Sequence, residues 1–230
     1  TYGMNALTVI VTMDPENGWS RGIHPIPVDT LKAQLKTALS TGVDAIKTGM
    51  LPTVEIIHTA AEAIDSSGLE KVVIDPVLVC KGEDEALFPE NVEAIVKSLR
   101  PRALVVTPNL FEAGQLSGLG TLTTIDDMKR AAAKIHEEKN KNVVIKGGKQ
   151  LQHDKAVDLF FDGSTYTLLE SEKTATTYNH GAGCTFAAAV TANLANGLAV
   201  NESIIEAKKF VSAAIANGWK LNEYVGPVMH

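Results

Sequence analysis

Residues 176 to 190, TTYNHGAGCTFAAAV, place Gly181, Ala182 and Gly183 directly ahead of a small-residue helical stretch, with Cys184 in its first turn. The first amides of a helix have no intrahelical acceptor, and the helix dipole adds partial positive charge there. The three residues could therefore form an anion hole. Glycines at these positions would also serve if they did no more than permit a tight strand-to-helix turn. Cys184 has two readings in the same way. It is either a small apolar filler, or a thiol made acidic by the helix N-terminus and so a base or a nucleophile.

Asp75, Asn109 and Glu112 are oxygen donors suited to Mg²⁺, which takes one or two carboxylates and keeps water and phosphate oxygens for the rest. The competing readings are a strand-end turn before Pro76 and a helix-capping charge at Glu112. Lys146, followed by Gly147 and Gly148, could set a point charge against phosphates, or simply be solvated. The polar segment CKGEDE, residues 80 to 85, would bring Cys80 and Lys81 to a ligand if it were a lid, and would do nothing as a plain surface loop. His180, just ahead of the glycines, could cap, orient or only pack. There is no GxxxxGK[ST], which removes the P-loop class of kinase, and no strand-GxGxxG-helix fingerprint, so the dinucleotide reading loses its main support.

These residues fall where apolar runs stop. Runs rich in Val and Ile recur at 6–13, 43–49, 71–79, 103–109 and 142–148, and read as strands buried on both faces. Segments of helical period lie between them at 28–40, 52–67, 91–99 and 124–139, the alternation of a parallel sheet covered by helices. Residues 156–163 and 164–171 meet at Asp162-Gly163-Ser164 and read as an antiparallel hairpin. Two alanine-rich helices follow, at 181–197 and 201–220, with Asn201 expected as an N-cap and Gly197 as a stop. In open α/β sheets ligands bind beyond the carboxyl ends of the strands. Those ends are Lys47-Thr48-Gly49-Met50, Asp75, Thr107-Pro108-Asn109 and Lys146-Gly147-Gly148.

A length of 230 residues with 45% hydrophobic content and 21% charged content predicts one sizeable α/β domain over 1–230. The formal net charge of -6, with no Lys/Arg run, argues against nucleic acid as a partner. Cys80 and Cys184 show neither disulfide nor metal spacing, and no stretch has the length of a membrane span or the form of a signal peptide. A cytoplasmic setting without membrane partners is expected.

The segments AIKTGML (45–51), VIDPVLVCKGEDE (73–85), VVTPNLFEAGQLSG (105–118), VVIKGGK (143–149) and NHGAGCTFAAA (179–189) resemble the ribokinase superfamily. Within it they resemble the branch shared by hydroxymethylpyrimidine (phosphate) kinases and pyridoxal kinases. The resemblance runs over nearly the whole chain. It implies a three-layer α/β/α ribokinase-like fold with a mainly parallel sheet, ATP and Mg²⁺ as cofactors, a small-molecule substrate and a homodimer. It also implies that Gly181, Ala182 and Gly183 form the anion hole and that Cys184 stands at the catalytic-base position. Asn109, Glu112, Lys146 and Gly148 fall to the nucleotide, Asp75 and Glu112 to the metal, and Gly49, Met50, Cys80 and His180 to the substrate. Family members begin with a further strand bearing a glycine-rich turn, so the chain is expected to be cropped at both ends.

The superfamily motif ends in aspartate, GAGD, where this chain has GAGC. A thiol is a poorer base than a carboxylate, yet phosphoryl transfer through a loose transition state demands little of the base until late. A thiolate also adds reversibly to aldehydes, which pyridoxal carries and hydroxymethylpyrimidine lacks. The GAGC variant with a cysteine in the flap resembles a pyridoxal kinase group. The expected activity is phosphorylation of the 5′-hydroxymethyl of pyridoxal and related vitamers. The alternatives are a hydroxymethylpyrimidine phosphate kinase and a non-catalytic pyridoxal phosphate binder.

Overall fold

The structure, a computed structural model, describes residues 1–78, 89–137 and 141–230. Its six-stranded sheet has the order β3 (Ile46–Thr48), β4 (Val72–Ile74), β5 (Val105–Val106), β6 (Asn142–Lys146), β7 (Ala156–Phe161) and β8 (Tyr166–Ser171). The first four strands pair parallel, and β7 and β8 add antiparallel at one edge. The turn before β8 closes at Asp162, whose Oδ1 accepts from the amides of Ser164 and Thr165 at 2.8 and 2.7 Å.

Side chains alternate between faces along a strand, so strands apolar at every position need cover on both sides. Val72, Ile74, Val106, Val143 and Ile145 pack in one core with α2 (Val54–Ser67), α4 (Leu110–Ser117) and α5 (Ile125–Glu137). Val73, Val105 and Val144 pack in a second core with α6 (Ala182–Ala195) and α7 (Val200–Ala216). The result is the three-layer arrangement expected. Helix α1 (Val28–Leu39) joins the first core through Leu31, and α3 (Pro89–Ala94) continues as a π turn over Ile95–Leu99 and a 3-10 turn over Arg100–Arg102.

Two expectations are corrected. The run at 6–13 is not a sheet strand buried on both faces. Its residues Val9–Asp14 (β1) pair antiparallel with Ser20–Pro25 (β2) in a separate ribbon that leaves Ile10 and Val11 49% and 40% exposed. The Asn17-Gly18 turn decides this, since a chain that reverses so soon makes a hairpin, whereas a parallel neighbour needs a long crossover. Asn201 is not the cap of α7. The helix starts at Val200, and the Glu202 carboxylate accepts from the Ala199 amide at 3.3 Å.

Candidate active site at the carboxyl end of the sheet

Asp75 follows Ile74 and so turns toward α6, as Val73 does, and Lys146 repeats the facing of Val144 two residues before it. Alternation alone thus brings two opposite charges from non-adjacent strands under one helix. The Lys146 ammonium donates to Asp75 Oδ1 at 2.8 Å, and the Thr107 hydroxyl donates to the same oxygen at 2.9 Å. The Asp75 side chain is 2% exposed and that of Lys146 16%. Between them the backbone is fixed by the Lys146 amide, which donates to Pro108 O at 2.8 Å, and by a parallel bridge from Asn109 to Lys146.

Asn109 and Glu112 form a reciprocal capping box at the start of α4. Asn109 Oδ1 accepts from the Glu112 amide and Glu112 Oε2 from the Asn109 amide, both at 2.8 Å. Glu112 Oε1 also accepts from the Leu78 amide at 3.4 Å. Burial pushes the Glu112 carboxyl up to about 7, with Lys146 opposing, Asp75 adding to the rise and the two amides opposing. Burial alone would lower the Lys146 ammonium, but chiefly Asp75 and then Glu112 outweigh it and raise its pKa. Glu112 therefore caps α4 while lying in the field of Lys146 and Asp75.

Above this pair stands the N-terminus of α6. Gly181 takes φ 84°, a left-handed conformation natural to glycine, and precedes the first helical residue. The Gly183 and Cys184 amides belong to the first turn and have no acceptor within the helix. A Cβ placed on Gly183 would stand 3.2 Å from Lys146 Nζ, so the ammonium lies directly against this turn. Cys184 is exposed. His180 is held by the C-terminal segment, its amide donating to Gly226 O and its carbonyl accepting from Val228 N, both at 3.1 Å.

Gly49 and Met50 lie just past β3, where the Asp75 amide donates to Thr48 O at 3.3 Å. The sequence does not signal what holds this corner: the Thr8 hydroxyl donates to Met50 O at 2.7 Å, and Asn91 Nδ2 to Leu51 O at 3.1 Å. Gly148 follows Lys146 with φ 56°. Cys80 lies outside the described residues. Among the described residues no group of three or more His, Cys, Asp or Glu gathers as a metal cage. Asp75 and Glu112 supply two carboxylates close enough to influence each other, a set that fits Mg²⁺ when water and phosphate complete its shell. Among the described residues, no helix is long and apolar enough to cross a membrane.

The family model described as phosphomethylpyrimidine kinase matches residues 1–229. The pyridoxine kinase of Bacillus subtilis is 57% identical over 230 residues, covering 100% of this chain and 85% of that protein. A crystal structure of an ADP complex of Bacillus subtilis pyridoxal kinase superposes with a TM-score of 0.96 at 57% identity, covering 100% of this chain and 86% of that one. Pyridoxal kinase from Staphylococcus aureus in complex with AMP-PCP and pyridoxal gives 0.94 at 56% identity, covering 100% and 82%. The chain belongs to the phosphomethylpyrimidine kinase family and has the ribokinase-like fold of these pyridoxal kinases.

Proposed function

We propose that this member of the phosphomethylpyrimidine kinase family phosphorylates the 5′-hydroxymethyl group of pyridoxal, and of pyridoxine and pyridoxamine, at the expense of ATP. The observation that carries the reading is the Lys146 ammonium, paired with Asp75 and set against Gly183 at the N-terminus of α6. A cation and free helix amides converging on one point suit a phosphoryl group in flight, which spreads charge over its equatorial oxygens. The relatives solved with ADP, and with AMP-PCP and pyridoxal, support both substrates.

In this reading the Gly181–Gly183 turn cradles the transferred group, and Lys146 neutralises charge as the bond to the leaving ADP lengthens. Gly148 and Asn109 border the nucleotide. Cys184 Sγ takes the proton of the 5′-hydroxyl as its oxygen bonds to phosphorus, while ADP departs with the electron pair of the broken P–O bond. Asp75 and Glu112 would hold Mg²⁺, which supplies charge neutralisation to the nucleotide phosphates when bound. Gly49, Met50 and His180 line the vitamer side.

Cys184 has a second use, reversible addition to the substrate aldehyde. A sulfur bonded to carbon cannot also accept the hydroxyl proton, so the two uses are sequential: the adduct retains pyridoxal and its release frees the base. This use favours pyridoxal over hydroxymethylpyrimidine, the runner-up substrate, which has no aldehyde. A non-catalytic pyridoxal phosphate carrier would have no need of the buried Lys146, Asp75 and Glu112 charges, which are costly to keep. We further propose that residues 1–230 act as one kinase domain in a reducing cytoplasm, with the exposed Ile10 and Val11 of the ribbon available to a homodimer contact. Mg-ATP turnover with pyridoxal, read as ADP release and product mass, tests the reading. Stoichiometric ADP and pyridoxal phosphate are expected, and tight binding of pyridoxal phosphate without ATP consumption would contradict it.

A further inference from the structure

A second buried ion pair lies beside the first and has no part in the mechanism above. Asp158 on β7 stands opposite Lys146 in the antiparallel register, so both side chains share the α6–α7 face. Asp158 Oδ2 accepts from Lys208 Nζ of α7 at 2.9 Å, and both side chains are 12% exposed. Lys208 Nζ also donates to Ala156 O at 3.2 Å, which fixes the ammonium from a second direction. The other carboxylate oxygen does something different. Asp158 Oδ1 accepts from the amide of Gly147 at 3.0 Å, the residue directly after Lys146.

Gly147 is tightly enclosed. Its amide donates as well to Val157 O at 3.2 Å, and a Cβ there would stand 2.2 Å from that same oxygen and 3.0 Å from the Leu151 side chain. Gly148 then turns through φ 56°. Lys146 is therefore clamped on both sides. Pro108 O receives its own amide, and Asp158 receives the amide that follows. An ion pair this buried is a weak device for stability, since well-packed apolar side chains do as well or better. Its oxygen at Gly147 does what an apolar side chain cannot, namely give the turn a fixed anchor.

We propose that Asp158, held in place by Lys208, is a positioning residue for the nucleotide. It sets the Lys146–Gly148 turn so that the ammonium and the turn's backbone face the phosphates. The inference rests on the kinase reading above. It assigns the pair to ATP and not to the vitamer, whose corner at Gly49 and Met50 is held separately by Thr8 and Asn91.

Two double variants of the full chain separate position from charge. Asp158→Leu/Lys208→Met removes the ion pair and the side-chain acceptor of Gly147, leaving only the Val157 carbonyl, while Asp158→Asn/Lys208→Met removes the ion pair and keeps an amide oxygen at the side-chain acceptor's place. With wild type as reference, the leucine variant should raise KM for ATP about tenfold, the size of one lost buried hydrogen bond, and leave KM for pyridoxal within about twofold. The asparagine variant should return KM for ATP to within about twofold of wild type at a similar melting temperature. If the leucine variant does not fold, Asp158→Ala/Lys208→Met supplies the same loss in a smaller side chain. Wild-type KM for ATP in either variant that lacks the side-chain acceptor would overturn the proposal. So would an equal rise in KM for both substrates, or the same KM in the asparagine and leucine variants. A wild-type protein that consumes no ATP with pyridoxal would instead overturn the kinase reading.

Discussion

Replacing Glu112 with glutamine isolates the electrostatics of the buried site. Glu112 is 3% exposed, and its carboxyl is raised from 4.5 to about 7, chiefly by burial. Between those two values the folded protein holds a proton that the unfolded chain has released. Stability therefore falls as pH rises through that window, is highest below it for this group, and is level above it. Moving a carboxyl from 4.5 to about 7 corresponds to about 3 kcal/mol, at 1.36 kcal/mol per tenfold change in proton affinity. Urea unfolding without nucleotide, at several pH values from 5 to 8.5, should show the wild type losing about 2 kcal/mol more than Glu112→Gln across the series, less than the full shift because pH 5 already lies inside the window. The amide keeps an acceptor for the Asn109 N–H, and any constant cost of the substitution cancels when each protein is compared with itself at another pH. Parallel stability curves for the two proteins would refute the account of a carboxyl strained by burial.

Gly183→Ala sets a methyl group 3.2 Å from the Lys146 ammonium, inside the space assigned to the transferred phosphoryl group. Turnover should fall at least about tenfold while unfolding free energy is unchanged or rises by up to about 1 kcal/mol, because alanine is the better helix former. Activity lost together with stability would instead mark Gly183 as a packing residue. Cys184→Ala should lower kcat for pyridoxal by about 10²-fold or more, the range of a removed general base, and Cys184→Asp should recover much of it while losing any aldehyde adduct. Undiminished turnover in Cys184→Ala would remove the thiol from the mechanism.

The chemistry was legible because it sits where apolar runs stop. Asp75, Asn109, Glu112 and Lys146 each end or follow a strand whose Val and Ile content announces burial on both faces, and the parallel sheet brings those ends together. The ribbon at Val9–Asp14 is not legible from apolar content, which does not distinguish a sheet strand from a hairpin arm; the Asn17-Gly18 turn does. What remained hidden is the set of contacts that hold the site in shape. Asp158 shows as a lone charge in the apolar run AVDLFF, but its partner Lys208 lies 50 residues on, in a helix whose lysines read as ordinary surface charge. The roles of Thr8, Asn91 and Thr107 depend on hydrogen bonds across elements distant in sequence, for which residue type gives no signal.

The most direct test of the central claim is a side-by-side comparison of pyridoxal and hydroxymethylpyrimidine as acceptors for Mg-ATP, with kcat/KM and product mass read for each. Pyridoxal should be phosphorylated faster, at the 5′ position. Faster phosphorylation of the pyrimidine would contradict it, and would leave Cys184 a base with no aldehyde to hold.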